Sequence, residues 1–133
     1  MSLELHNMVM KCGDVMKITG TIPDDAERFA VNMGSSTDQI GLHFNPRFND
    51  GTDGEVIICN SKRDGCWDSE QRDSNFPFSK GVKVKFSITF KGDNFEIQLP
   101  NDHKIEFPNR LSLVQVTYIS VHGDFKLTSF KCS

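Results

Sequence analysis

Three polar side chains stand at every second position of one short segment: His43, Asn45 and Arg47. Because alternate residues of a β-strand share one face, this spacing would place an imidazole, a carboxamide and a guanidinium side by side. Phe44 and Phe48 would then point the other way, into the core. An ordinary solvated strand face is the alternative, but a row of such fixed-geometry donors and acceptors favours a recognition surface. Pro46 has no backbone N–H to donate, so we expect it at a sheet edge or a bulge.

A second group of candidate residues surrounds the single tryptophan of the chain. The neighbours of Trp67 are almost all polar, which favours an exposed indole over a core position. Glu70 and Arg72 share a strand face with each other but not with Trp67, so a bulge or kink must intervene if all three meet one ligand. Asn60 ends an apolar strand before a loop, and by itself it is typical of a turn. An apolar platform beside directional polar groups is typical of a small-ligand site, and it suits a sugar.

The elements that carry these residues are predicted to be β-strands, because apolar and polar residues alternate along most of the chain. The clearest run covers residues 82–90, and two more follow it after short turns, at 95–99 and 104–107. Three such runs predict an antiparallel meander. The other candidate strands cover residues 3–10, 15–20, 28–33, 39–45, 55–60, 67–72, 114–121 and 125–132.

About eleven short strands without a helical stripe define an all-β fold. Two architectures accommodate them: a two-sheet antiparallel β-sandwich, or a closed barrel around an apolar ligand, as in the small fatty-acid carriers. Those carriers insert a helix pair after the first strand, whereas this chain has a turn signal at Pro23-Asp24-Asp25. The sandwich is therefore favoured, and a length of 133 residues predicts a single domain spanning 1–133.

Composition argues against several classes of partner. The 15 basic and 18 acidic side chains give a net charge of −3, which argues against a nucleic-acid partner. No stretch approaches the roughly 20 apolar residues of a membrane-spanning helix, so we expect no membrane insertion. The first residues lack the pattern of a signal peptide, which predicts cytoplasmic synthesis. The four cysteines lack metal-site spacing, so free thiols and no metal or other cofactor are expected.

Five motifs, in this order and spacing, resemble the galectins, which are soluble lectins that bind β-galactosides, and in particular their single-domain prototype members. The resemblance covers essentially the whole chain. It implies a two-sheet sandwich of jelly-roll topology, with the sugar lying across one concave sheet. The motifs are His43-Phe-Asn-Pro-Arg47-Phe48, Val56-Ile-Ile-Cys-Asn60-Ser61, Trp67 with Glu70-Gln-Arg72, Phe76-Pro-Phe78 and Phe107-Pro-Asn-Arg-Leu111.

The resemblance also implies a role for each carbohydrate-binding residue. The alternating row of His43, Asn45 and Arg47 would hydrogen-bond the axial 4-hydroxyl of galactose. Asn60 would reach the 6-hydroxyl, and Trp67 would stack on the apolar face of the same ring. Glu70 and Arg72 would contact the neighbouring glucose or N-acetylglucosamine. Glu70 would also orient the arginines. No metal takes part, and β-galactoside-bearing glycans and glycoproteins are the expected partners.

Three positions depart from the family pattern. Gly51 stands where some close relatives have a histidine, which bears on galactosides substituted at the 2′ and 3′ positions. Cys12 replaces a proline expected in the turn after the first strand, and Asp68 replaces a small residue beside the tryptophan. The core of the predicted site is unaffected.

Two other classes of function compete with a lectin. A glycosidase usually needs two carboxylates flanking the bond, roughly 5–10 Å apart. Glu70 is the only carboxylate in the predicted constellation, and two arginines would hold it ionised. A lipid carrier would need an apolar lumen instead of an exposed polar row. Non-enzymatic galactoside binding is therefore the leading hypothesis.

Two chemical sensitivities are expected at the site. Cys59 precedes Asn60 and Cys66 precedes Trp67, so oxidation of either thiol would disturb the site. Acid should also weaken binding, because a protonated His43 can only donate hydrogen bonds. A neighbouring arginine disfavours that protonation, so the loss should begin below the ordinary histidine pKa of about 6.5.

Valency is expected to come from a homodimer, because the chain carries a single site motif. Prototype galectins pair through their terminal strands, and export by a non-classical route would bring such a dimer to extracellular glycans. By alternation, Phe125 and Leu127 face the core and Phe130 faces outward. The predicted interface residues are therefore Leu3, Leu5 and Phe130.

Overall fold

The computed structural model describes residues 2–133 and contains twelve β-strands over that range. No helix among these residues is long and apolar enough to cross a membrane. The strands are β1 (Ser2–Met10), β2 (Val15–Thr21), β3 (Phe29–Ser36), β4 (Gln39–Arg47), β5 (Val56–Arg63), β6 (Cys66–Trp67), β7 (Gln71–Asp73), β8 (Lys83–Phe90), β9 (Asn94–Gln98), β10 (Lys104–Pro108), β11 (Val116–Gly123) and β12 (Lys126–Cys132).

The strands form two antiparallel sheets. The first sheet has the order β1-β11-β3-β4-β5-β6, with β7 also paired to β5, and the second has the order β10-β9-β8-β2-β12. The predicted meander is confirmed as β8, β9 and β10. Many neighbouring strands are far apart in sequence, because the chain passes repeatedly from one sheet to the other through short connections, such as the two residues between β11 and β12. The predicted all-β sandwich is confirmed.

Apolar side chains fill the space between the sheets. In β8 every second residue is buried, as the alternation predicted. Phe44 of β4 and Phe86 of β8 meet across the two layers, with ring centroids 5.4 Å apart. Phe29 of β3 stacks on Phe125 at 4.8 Å. This packed interior is that of a sandwich, so the barrel with an apolar lumen is the wrong alternative.

Pro46 lies in an interior strand and not at an edge or bulge, so that prediction is wrong. β4 runs between β3 and β5, and Pro46 itself is paired with β5. On the β3 side, the N–H of Phe48 donates to the carbonyl of Glu27 (2.8 Å). Two residues away, where Pro46 has no N–H, the carbonyl of Phe29 accepts instead from the side-chain amide of Asn45 (2.8 Å). The Asn45 side chain replaces the missing backbone donor.

Phe130 points toward the core, which corrects the prediction that it faces outward. The pairing of β12 with β2 shifts register between Leu127 and Ser129. The shift adds Thr128 as an extra residue and reverses the alternation beyond it. Phe130 therefore lies opposite the buried Ile18 and packs, half-buried, against the core.

Leu3 and Leu5 also face the core side of their strand. They pair with Val121 and Ile119 of β11, both of which are buried. Because β1 is the edge strand of the first sheet, the two leucines are only half-buried. The two predicted interface residues of β1 are therefore only partly exposed.

Candidate functional site

A groove of about 520 Å³ crosses the outer face of the first sheet. Arg72 lies beside this groove without lining it. Arg28 and His122, which sequence reasoning missed, also line it, and they come from the chain before β3 and from β11. Six of the seven predicted carbohydrate-binding residues line the groove: His43, Asn45, Arg47, Asn60, Trp67 and Glu70.

His43 is held by a polar chain that runs across β3 to β11. Its Nδ1 lies 2.6 Å from the Oδ1 of Asn32. The amide nitrogen of Asn32 donates to the Ser120 hydroxyl (3.0 Å) and lies 3.0 Å from Nε2 of His122. Since an amide oxygen can only accept, Nδ1 of His43 carries the proton, which makes Nε2 a hydrogen-bond acceptor. Asn32 was missed, although an asparagine within the otherwise apolar run of residues 29–33 was a visible signal in the sequence.

His43 is kept neutral by its surroundings. Burial, together with the nearby His122 and Arg47, lowers the pKa of His43 to about 4. Burial disfavours the charged form because an imidazolium loses its hydration. The acceptor nitrogen is therefore available throughout the neutral pH range.

Asn45 and Arg47 form a rigid pair on β4. Asn45 is buried, and its Oδ1 accepts a hydrogen bond from Nε of Arg47 (2.9 Å). Nη1 of Arg47 donates to Oδ1 of Asp50 (2.9 Å). With two of its N–H groups held by protein oxygens, the plane of the guanidinium is fixed. This arrangement preorganises a planar donor for a polar ligand.

Asp50 is the carboxylate that bridges the two site arginines, a role that the resemblance gave to Glu70. Oδ2 of Asp50 accepts from Nη1 of Arg72 (2.8 Å) while Oδ1 holds Arg47. Glu70 accepts from Arg72 through Nη2 (2.9 Å) and Nε (3.2 Å), and no bond from it to Arg47 occurs among residues 2–133. Hydrogen bonds from Arg72 and then Arg47 lower the pKa of Asp50 to about 2. Asp50 lies in a loop, where no periodicity could have revealed it.

Trp67 stands at the edge of the groove with 49% of its surface exposed. Its strand, β6, pairs with the outer end of β5, where Nζ of Lys62 lies 4.7 Å from the indole centroid. The ring of His43 lies 4.6 Å away at a tilt of 53°. The indole is thus an accessible apolar platform beside the acceptor nitrogen of His43 on β4.

The predicted kink between Trp67 and Glu70 is confirmed, because the chain leaves the sheet between β6 and β7. Arg110, which sequence reasoning left without a role, holds this kink by donating to the carbonyl of Ser69 (2.8 Å). Asn60, which is buried, donates to the carbonyl of Asp68 (2.9 Å). These contacts fix the backbone of the two residues that precede Glu70.

Cys59 does not fit the predicted redox role. Its side chain is buried in the core, and burial raises the pKa of the Cys59 thiol to about 12. Because the thiolate is the reactive form, this thiol is inert. Cys66 is exposed and remains a candidate. All four cysteines are free, as predicted.

Comparison with known proteins identifies the family. The model of the galactoside-binding lectin family matches residues 2–132. Human galectin-2 is 46% identical over 97% of this chain and 95% of its own. The crystal structure of chicken galectin 2 has a TM-score of 0.92 and 46% identity, covering 98% of this chain and 97% of that one. CG-16, described as a homodimeric agglutinin from chicken liver, has a TM-score of 0.95 and 38% identity over the whole of both chains.

The fold and the matches define the class of protein: a β-sandwich lectin domain. The chain belongs to the galectins, the galactoside-binding lectin family.

Proposed function

We propose that the protein is a non-enzymatic lectin that binds β-galactosides in the groove over β4, β5 and β6. One observation carries the proposal: an acceptor nitrogen of His43 and a fixed guanidinium of Arg47 stand beside the exposed indole of Trp67. A pyranose could lay its C–H face on the indole while its hydroxyls meet the row on β4.

The chemistry of this row favours galactose over glucose. A hydroxyl donates one hydrogen bond and accepts two, so it needs partners of both kinds. Nε2 of His43 supplies an acceptor and Arg47 supplies donors. An axial 4-hydroxyl would project from the ring toward both groups, whereas an equatorial one would leave them unpaired. An unpaired buried polar group costs roughly 1–3 kcal/mol.

Titration calorimetry with lactose and maltose tests this proposal. We expect lactose to bind and maltose to bind at least about tenfold more weakly. The same titration in EDTA should give the same lactose affinity, since no cluster of three or more potential metal ligands occurs among residues 2–133. Equal affinity for the two sugars, or loss of binding in EDTA, would contradict the assignment.

The hydrogen bonds of Glu70 support binding without hydrolysis. A glycosidase needs a carboxyl that is free to donate a proton to the glycosidic oxygen. Glu70 instead accepts two hydrogen bonds from Arg72 on its Oε1, so that oxygen is already engaged by the protein. Incubation with lactose should leave the disaccharide intact, and release of free galactose would contradict this part of the proposal.

We also propose that the protein forms a homodimer through its terminal strands. β1 and β12 are edge strands of the two sheets, and unpaired strand edges favour association. Leu3, Leu5 and Phe130 leave part of their apolar surface exposed at these edges. The similar structure CG-16 is described as homodimeric.

Analytical ultracentrifugation tests the dimer. The protein should sediment as a dimer at micromolar concentration, and Leu5→Lys should shift it toward monomer. Leu5→Met, which keeps an apolar side chain at the same edge, is the matched control and should remain dimeric. A parent protein that sediments as a monomer, or a Leu5→Lys variant that stays dimeric, would contradict the proposed interface.

We further propose that the chain is made in the reducing cytoplasm and reaches extracellular glycans by a non-classical route. The free thiols of Cys12, Cys66 and Cys132, all exposed, support synthesis under reducing conditions. Cell fractionation with thiol labelling before lysis would test it, because a disulfide-bonded intracellular pool would contradict the proposal.

A further inference from the structure

The outer face of the second sheet carries a concentration of positive charge that galactoside binding does not use. Three adjacent strands, β2, β8 and β12, contain none of the 18 acidic residues of the chain. They do contain five lysines, all exposed, which we call the cationic face: Lys17, Lys83, Lys85, Lys126 and Lys131.

The strand register places these lysines in a compact array. Lys131 lies directly opposite Lys17. Thr21 of β2 lies between Lys126 of β12 and Lys83 of β8. From strand rise and spacing, the array extends about 14 Å along the strands and about 10 Å across them.

No salt bridge within the described residues engages the cationic face, although Asp102 lines a neighbouring depression together with three of its lysines. On the same sheet, by contrast, Lys91 and Lys104 both pair with Glu96. Like charges directly opposite on neighbouring strands are destabilising, so the Lys17–Lys131 pair brings the fold no advantage. A bound anion would relieve that repulsion.

Four of the lysines surround a depression of about 520 Å³. Two short hydroxyl side chains, Thr19 and Ser129, also line it and are paired across β2 and β12. Ammonium groups around hydroxyl groups match the oxygen-rich, singly charged anions of sulfate esters. The outward positions of the three strands hold no aromatic ring on which a nucleic-acid base could stack. These outward positions also hold no large exposed apolar side chain for insertion into a bilayer. The exposed Val82 lies outside them, just before the first residue of β8.

We propose that the cationic face binds a sulfated polysaccharide, on the opposite side of the sandwich from the galactoside groove. The two ligands would then bind independently, because the sugar groove lies on the outer face of the first sheet. A lectin with both surfaces could hold a galactoside and a sulfated chain of the same cell coat at once.

Binding of a heparin-derived octasaccharide, measured by fluorescence anisotropy in saturating lactose, tests the proposal. We expect binding that lactose does not displace, that weakens with salt and that is lost when the octasaccharide is desulfated. Lys17→Gln combined with Lys85→Gln should weaken it by about tenfold or more. Lys91→Gln combined with Lys104→Gln, which removes the same charge from the other edge of the sheet, should change it less than about twofold.

Several results would overturn the proposal. They are displacement of the octasaccharide by lactose, equal weakening in the two double variants, and absence of binding by the parent protein. Tighter binding to phosphatidylserine vesicles or to duplex DNA than to the octasaccharide would assign the face to another partner. Unchanged lactose affinity in both variants would establish that their folds are intact.

Discussion

Asn45 serves the backbone and the site at once. Its amide nitrogen donates to the carbonyl of Phe29, which faces Pro46, and its amide oxygen accepts from Arg47. A proline in an interior strand normally removes a ladder hydrogen bond. Here the same side chain that restores the donor also fixes the guanidinium of the site. The Asn-Pro-Arg sequence is therefore one structural unit, in which the sheet and the ligand row depend on each other.

The exposed indole gives a direct test at the residue scale. Trp67→Ala should weaken lactose binding by about tenfold or more, because the apolar face of the sugar loses its platform. Since about half of Trp67 is exposed, the free energy of unfolding should fall by less than about 2 kcal/mol. Calorimetry and thermal unfolding measure the two effects. A large loss of stability would mean that Trp67 is a core residue.

Protonation should remove the hydrogen-bond acceptor of His43 at a lower pH than the ordinary histidine pKa suggests. The pKa of His43 is lowered to about 4, so lactose affinity should stay level from neutral pH to about 5 and fall near 4. The pKa of Asp50 is about 2, so the two site arginines keep their bridge over this range. A loss already complete at pH 6 would contradict the acceptor role.

The stability of the fold must be followed in the same titration. The unfolded chain takes up a proton at His43 near pH 6.5, whereas the folded chain does so only near 4. The unfolded state therefore binds more protons between these values, and stability falls as the pH falls through this window. Lactose affinities at different pH values can be compared only where thermal unfolding confirms that the protein is folded.

Oxidation should act on the site through Cys66 alone. Cys66 is exposed beside Trp67, whereas the thiol of Cys59 is buried with its pKa raised to about 12. Disulfide formation at Cys66 should weaken lactose binding, and Cys66→Ser should remove the sensitivity. Cys132→Ser is the matched control, because it removes another exposed thiol and should leave the sensitivity in place. Mass spectrometry would verify which thiols have reacted.

At the scale of the elements, alternation predicted most strands because each sheet has one buried face. The meander of β8 to β10 follows its apolar residues almost without exception. The failures occur where register changes. The shift within β12 reverses the face of Phe130, and its cause is the pairing with β2, which is distant in sequence. Local alternation contains no information about that pairing.

The bulge in β12 predicts the outcome of a matched pair of substitutions. Phe130→Asp should destabilise the fold by about 1–3 kcal/mol, because a half-buried ring is replaced by a charge on the core side. Thr128→Asp introduces the same charge at an exposed position and should cost less than about 0.5 kcal/mol. Denaturant unfolding compares them. Equal effects would mean that Phe130 does not contribute to the core.

At the scale of the whole molecule, the site combines residues that no single segment could reveal. The row on β4 was predictable because its members share one strand. Asn32 and His122 join the site only because β3 and β11 lie beside β4 in the sheet. Asp50 meets Arg72 only because β7 pairs with β5. Sequence spacing indicates which ligand-facing groups exist, whereas the sheet order determines what holds them in position.

Cross-linking of cells depends on the number of glycan-binding sites in the assembly. Agglutination therefore tests valency separately from lactose binding. One shallow groove per chain can bind a glycan but cannot bridge two surfaces through galactosides alone, so agglutination of cells that lack sulfated polysaccharides requires the proposed dimer. The parent protein should agglutinate galactose-bearing cells, and lactose but not maltose should inhibit it. Leu5→Lys should lose agglutination while keeping the lactose affinity of the parent, and Leu5→Met should keep both. On cells that carry sulfated polysaccharides, agglutination by a Leu5→Lys protein that sediments as a monomer would show that a second glycan-binding surface, such as the cationic face, supplies the other contact.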